Sequence, residues 1–121
     1  MKIKELLSRY MAGQRDFSNL NLMAANLRNM NLKGANLSGV NLTKANLTRT
    51  NLSQTNLSNA ILLGANLTET NLTKANLTNV KLQDLDLSHT YLGGAIITNA
   101  LNPGFRSKKP KPSPTKDSDP C

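Results

Sequence analysis

Residues 31–80 read NLKGANLSGV NLTKANLTRT NLSQTNLSNA ILLGANLTET NLTKANLTNV, with an apolar residue at every fifth position. Followed outward in both directions, the period holds from Phe17 to Ile97, through Leu22, Leu27, Leu32 and on to Leu92, as seventeen units without an insertion. Two residues before these centres stand small side chains such as Ala35, Val40, Ala45, Thr50, Thr55, Ala65, Thr70, Ala75, Val80 and Thr90. The exceptions, Arg15, Leu20, Met30 and Leu85, lie toward the two ends of the run. The position between is Asn in eleven units, and the two residues after the centre are mostly Ser, Thr, Gly, Lys or Asn.

A period of five matches neither the 3.6 residues of a helical turn nor a sustained two-residue alternation. Within one unit, however, the small residue and the centre are two apart, so they share one side of a short extended segment while the Asn points away. The two polar residues that remain can turn the chain. Repeating segment and corner with the same face inward winds a solenoid whose coils stack as parallel strands about 4.8 Å apart. One unit cannot bury its own Leu, so the core exists only through stacking. All five prolines, Pro103, Pro110, Pro112, Pro114 and Pro120, fall after the repeat, as a ladder requires, because proline has no N–H to donate.

The flanks differ in kind. Ile3, Leu6, Leu7, Tyr10 and Met11 have the spacing of one apolar helix face, and Gly13 sits where a helix would end. So short a helix is marginal alone and is expected to dock on the open end of the solenoid. Residues 102–121, NPGFRSKKPKPSPTKDSDPC, carry Arg106, Lys108, Lys109, Lys111 and Lys116 and are expected to be a disordered, extended tail. The expected division is a capping helix over 1–14, the solenoid over 15–101 and the basic Pro/Lys-rich tail over 102–121. In 121 residues, 21 Leu and 17 Asn set against 3% aromatics argue for one domain whose core is built from Leu rather than rings. A single cysteine, Cys121, excludes an internal disulfide and a multi-cysteine zinc site.

The units resemble the pentapeptide-repeat family, whose repeat reads A-(N/D)-L-x-x. The resemblance is carried by Ala25-Asn26-Leu27-Arg28-Asn29, Ala35-Asn36-Leu37-Ser38-Gly39, Ala45-Asn46-Leu47-Thr48-Arg49, Ala65-Asn66-Leu67-Thr68-Glu69 and Ala75-Asn76-Leu77-Thr78-Asn79, and it extends over about 80 of the 121 residues. It implies an all-β solenoid, a right-handed quadrilateral parallel β-helix with four units per coil, often capped at one end by a helix. On that register residues twenty apart stack. The columns Asn26, Asn46, Asn66, Asp86 and Asn31, Asn51, Asn71, Tyr91 are then expected to hydrogen-bond from amide to amide up the stack. The inward Thr50, Thr55, Thr70 and Thr90 are expected to donate to backbone carbonyls at the corners, because a buried hydroxyl is costly unless bonded. Some members of the family are understood as DNA mimics with a strongly negative surface. Here fifteen Lys and Arg against seven Asp and Glu give +8, so acidic DNA mimicry is not carried over.

Catalysis finds little footing. His89 is the sole histidine, and the many Ser and Thr hydroxyls have no evident base beside them. Asp84, Asp86 and His89 lie on different sides of a corner, which argues against a metal, and no cofactor is expected. Outward apolar residues are more informative. Ile61 and Leu63 replace the usual Asn and Ser or Thr, and Tyr91 and Ile96 interrupt the polar positions near the last coil. These four are the expected contacts for a protein partner, with the returning tail or a homodimer through the C-terminal coil as alternatives. A nucleic-acid or anionic-surface binder acting through Lys108, Lys109, Lys111 and Lys116 is the competing function. No apolar run is long enough to span a bilayer and the N-terminus lacks a signal-peptide core, so the expected setting is cytoplasmic. The N-x-Ser/Thr tripeptides, as at Asn36 and Asn46, are by-products of the repeat.

Overall fold

The structure, a computed structural model, describes residues 2–98. From Asp16 onward, parallel β-bridges join each residue at the Asn position to its counterpart twenty residues later: Asp16 to Asn36, Asn21 to Asn41, Asn26 to Asn46 and Asn31 to Asn51 open the series. A coil is therefore four five-residue units. Coils 1 to 4 span 16–35, 36–55, 56–75 and 76–95, and 96–98 begin a fifth. The four sides, in chain order, carry Leu37 (A), Leu42 (B), Leu47 (C) and Leu52 (D), each with its equivalents in the other coils.

From Leu22 onward the corners are hydrogen-bonded turns. The N–H of Val40, Ala45 and Thr50 reaches the carbonyl of Leu37, Leu42 and Leu47 at 3.2, 3.0 and 3.0 Å. The third residue of these turns is left-handed, with φ of 69° at Gly39, 59° at Lys44 and 57° at Arg49, the signature of a type II turn. A non-glycine residue in this region costs on the order of 1 kcal/mol. The same residues compensate through the ladder, Lys44 donating to the Leu63 carbonyl at 2.8 Å and Arg49 to that of Thr68 at 3.0 Å. Glycine is thus not needed at most corners.

The interior is a stack of buried Leu, among them Leu32, Leu47, Leu57, Leu72 and Leu77, alternating with Ala35, Val40, Ala45, Ala75 and Val80. The inward threonines bond as expected. Thr50 Oγ1 donates to the Leu27 carbonyl at 2.7 Å, Thr70 to Leu47 at 2.7 Å and Thr90 to Leu67 at 3.0 Å, each reaching back to the preceding coil, while Thr55 bonds within its own unit to Leu52 at 2.7 Å.

The asparagines behave otherwise than expected. In the two predicted columns they do not build amide ladders; throughout the repeat the Oδ1 of the Asn before a core Leu accepts the N–H of the residue two places on, as from Thr43 to Asn41 at 3.0 Å and from Ser53 to Asn51 at 3.0 Å. The hydroxyl of that second residue often adds a further bond, Thr43 at 2.6 Å and Ser53 at 2.7 Å. The Asn is a local brace that fixes its own corner, an Asx-turn. Side-chain bonds from coil to coil do occur, from Asn36 Nδ2 to Asp16 Oδ1 at 3.4 Å and, at the third residue of the side-A corners, from Asn79 Nδ2 to Asn59 Oδ1 at 3.0 Å.

Helix α1 spans Ile3–Met11 and covers the start of the solenoid. Leu6 is fully buried, and Ile3 and Tyr10 pack partly against the core. Leu7 and Met11 are corrections to the expected apolar face, Met11 being 76% exposed, because a docked helix this short buries only the narrow stripe through Leu6. The helix closes as a Schellman motif, Gly13 N–H bonding the Tyr10 carbonyl and Gln14 N–H that of Arg9, both at 3.0 Å. Tyr10 Oη donates to the Lys33 carbonyl at 2.7 Å, on the coil-1 edge that no earlier coil covers. Arg15 does not point inward; its guanidinium stacks 3.8 Å from the Tyr10 ring centroid.

Two expected outcomes follow from these contacts. Thr70→Val should lower the unfolding free energy by about 1 kcal/mol in urea titrations, the net worth of one hydrogen bond, whereas Thr73→Val should be neutral or stabilising, because Thr73 Oγ1 is buried without a partner among the described residues. At Asp16, the Ser18 hydroxyl and backbone N–H hold the carboxyl below its ordinary value of 3.8. The contribution to stability is therefore complete above that ordinary value and lost as pH falls through the lower folded value. An NMR titration should show a depressed Asp16 midpoint that moves up in Ser18→Ala.

Candidate functional site

The coil-to-coil ladder is continuous except in one place. Between coils 3 and 4 it is closed on side A, where Leu57 N–H meets the Asn76 carbonyl at 2.8 Å, and on side D, where Leu72 N–H meets that of Tyr91 at 2.7 Å. On sides B and C no bridge joins Ile61 to Lys81 or Asn66 to Asp86. The amides of Leu62, Gly64 and Lys81, whose equivalents on other coils donate into the ladder, donate to no backbone carbonyl among the described residues. The two coils diverge there as a wedge. A cleft of about 550 Å³ opens on side B, lined by Asn59, Ala60, Ile61, Leu62 and Leu63 on one lip and Asn79, Lys81, Gln83 and Asp84 on the other.

The residues account for the opening. Every Asn or Asp at the brace position holds the N–H two residues on, from Asp16 through Asp86. Ile61 and Lys81 occupy that position on the two facing rungs of side B and can supply no such brace. At the next corner Leu85 stands where Ala25, Ala45 and Ala65 stand in the earlier coils. It is buried, a large side chain at a small-residue site, and overpacking of this kind typically costs about 1–3 kcal/mol. The corner after it is also irregular. Glu69 N–H bonds the His89 carbonyl at 2.7 Å, one residue past the regular register, and His89 is absent from the left-handed residues that mark the other corners.

The four expected contact residues do not form one surface. Ile61 and Leu63 lie together on the cleft lip, 47% and 62% exposed. Tyr91 lies on side D, half-buried, its hydroxyl donating to Glu69 Oε1 at 2.7 Å and its backbone in the ladder to coil 3. Ile96 is exposed on side A, bridged to Asn76. The grouping fails because an interval of five residues moves a side chain to the next side, whereas only intervals of twenty keep it in the same column. Sequence reasoning missed Lys81 as a cleft residue. The signal was present in Ile61 and Lys81, two stacked units that both lack Asn. Exposed Met23 shares the column of Leu63 two coils away. Among the described residues no group of three His, Cys, Asp or Glu side chains is arranged to hold a metal, and no helix is long and apolar enough to cross a membrane. Ala100, Leu101, Phe105 and the basic tail lie outside the described residues.

A chain of stacked five-residue units with a Leu core defines a solenoid repeat protein. The profile of the pentapeptide repeats matches it in eight copies over residues 21–59 and 60–99, and the chain belongs to that family. Among solved structures it is similar to HetL, a pentapeptide repeat protein involved in heterocyst differentiation regulation from the cyanobacterium Nostoc sp. strain PCC 7120, at 36% identity over 83% of this chain and 48% of HetL, with a TM-score of 0.45. It is also similar to the pentapeptide repeat protein alr5209 from Nostoc PCC 7120, at 35% identity over 78% of this chain and 74% of that one, with a TM-score of 0.45. A third similar structure, the pentapeptide repeat protein AT2G44920 from the Arabidopsis thaliana thylakoid lumen, is 29% identical over 67% of this chain and 57% of its own, with a TM-score of 0.41. The chain spans about half the length of HetL. No curated protein matches the sequence.

Restoring the missing brace should close part of the wedge. Ile61→Asn supplies an acceptor for the Leu63 N–H and is expected to raise the unfolding free energy by about 0.5–1.5 kcal/mol in urea titrations, the worth of one added hydrogen bond.

Proposed function

We propose that the protein is a non-enzymatic scaffold that docks a protein partner on side B of a right-handed quadrilateral β-helix, in the cytoplasm. The observation that carries this reading is the cleft between coils 3 and 4, where exposed Ile61 and Leu63 stand beside backbone amides left out of the ladder. Apolar side chains flanked by open strand edges are the elements of β-augmentation, in which the main chain supplies affinity and side-chain contacts supply selectivity. Membership of the pentapeptide-repeat family supports a binding role over a catalytic one. Side-chain chemistry points the same way. The outward hydroxyls of Thr43, Thr48, Ser53, Thr68 and Thr78 are engaged in bracing their own corners.

The double variant Ile61→Asn with Leu63→Thr should keep the circular dichroism spectrum of the parent and lose a partner that the parent captures from native cytosol in a salt-insensitive way. Undiminished capture by the variant would sink the side-B reading. Capture abolished by high salt or by nuclease treatment would instead favour nucleic acid held by the basic tail.

A further inference from the structure

We propose that the helix-capped end of the solenoid is a docking surface for an anionic lipid bilayer, where its cations meet the headgroups while Leu7 and Met11 enter the interfacial layer. The protein is then held on the membrane by one end, and the side-B cleft between coils 3 and 4 lies toward the other.

The charge of the rod is polarised along its axis. Up to Arg49 the chain carries eight Lys and Arg against Glu5 and Asp16, whereas from residue 50 to Thr98 it carries Lys74 and Lys81 against three acids. The capped end is therefore basic and the far end close to neutral, a difference that the whole-chain charge hides. Both acids of the basic end are already engaged. Glu5 pairs with Arg9 at 2.6 Å, and Asp16 Oδ1 accepts the Ser18 hydroxyl at 2.8 Å. The Arg9–Glu5 pair is the one salt bridge among the described residues, so Lys4, Arg15, Arg28, Lys33 and Arg49 stand exposed with no carboxylate paired to them there.

These cations gather around the helix. Arg28 and Lys33 lie on sides C and D of coil 1, next to α1. The Tyr10 hydroxyl bonds the Lys33 carbonyl at 2.7 Å, and the Tyr10 ring carries the Arg15 guanidinium 3.8 Å from its centroid, so α1, Arg15 and Lys33 share one rim. On the helix itself Leu7 and Met11, 38% and 76% exposed, are four residues apart and fall on one stripe, with Lys4 three residues before Leu7. An apolar stripe edged by cations is what an interfacial helix offers to lipid, and each Lys or Arg close to an anionic leaflet strengthens binding about five-fold. Nucleic acid would satisfy the cations but has no apolar layer to receive Leu7 and Met11. The Tyr10 ring, partly buried and stacked under Arg15, gives bases no platform either.

The test is co-sedimentation of the full chain with vesicles of phosphatidylcholine, alone or mixed with phosphatidylserine. The chain should bind the mixed vesicles only, and less as salt rises. Arg28→Glu with Lys33→Glu should weaken binding about ten-fold or more, and Leu7→Ser with Met11→Ser should weaken it several-fold, each with the circular dichroism spectrum of the parent. Lys74→Glu, on coil 3, should leave binding unchanged. Undiminished binding by the Arg28/Lys33 variant would overturn the proposal and assign the lipid to the basic stretch beyond Thr98. Capture of a DNA duplex that drops in the same variant, with no vesicle binding by the parent, would overturn it in favour of nucleic acid. A second measurement needs no weakened variant. In a Cys121→Ser background, a nitrobenzoxadiazole dye on Met11→Cys should brighten and shift to the blue on mixed vesicles, while the same dye on Leu63→Cys should not. A response at Leu63→Cys as large as that at Met11→Cys, or none at either site while the protein sediments with lipid, would refute docking by the helix-capped end.

Discussion

The main-chain hydrogen bond between successive coils is the constraint on which everything else depends. At the core Leu residues of the regular ladder the N–H donates to the carbonyl of the brace residue one coil on, Leu37 to Asn56 and Leu47 to Asn66 at 2.7 and 2.9 Å. That bond can form only if every coil contains the same number of residues, so an insertion in any unit would disturb every column beyond it. It also holds the third residue of the regular corners in the left-handed region, which Lys44, Arg49 and Glu69 accept because their own N–H groups are tied into the next coil. Backbone geometry that would be unfavourable in a free turn is held by the stack.

Against this ladder, side chains have two tasks. Inside, Leu and a small neighbour fill a narrow space, and the Thr50, Thr70 and Thr90 column adds polar ties that reach from each coil to the one before it. Outside, Asn secures the corner by accepting an N–H within its own unit. The wedge between coils 3 and 4 shows what happens when both tasks are compromised together. Ile61 and Lys81 remove the brace from facing rungs, Leu85 fills a site made for Ala, and the ladder opens there while sides A and D remain closed. Tyr91 and Ile96 also lack the brace, yet their rungs stay paired with Asn71 and Asn76. Loss of one brace is tolerated where the facing rung keeps its own and the interior is not overfilled.

That opening gives an otherwise uniform surface a distinct place. A regular coil offers repeated polar corners and a saturated main chain, with little for a partner to recognise. At the cleft, apolar side chains and unladdered amides occur together, on one side and at one height.

The sequence by itself determined the repeat, its five-residue period, the inward placement of Leu and the small residues, and the threonine bonds to corner carbonyls, because these follow from a local alternation repeated without a slip. It pointed to a helix over the first residues, but not that Leu6 alone would be fully buried, since the stripe a short helix presents depends on the shape of the surface it meets. It singled out Ile61, Leu63, Tyr91 and Ile96 as unusual, yet could not group them, because sharing a side of the solenoid depends on the twenty-residue closure of a coil and not on nearness along the chain. The role of Asn was also settled only in three dimensions: an amide can equally well bond up a column or back to its own corner, and the corner lies closer. Where the ladder would fail was decided by tertiary structure alone, through the coincidence of two missing braces on facing rungs and one oversized residue at the next corner.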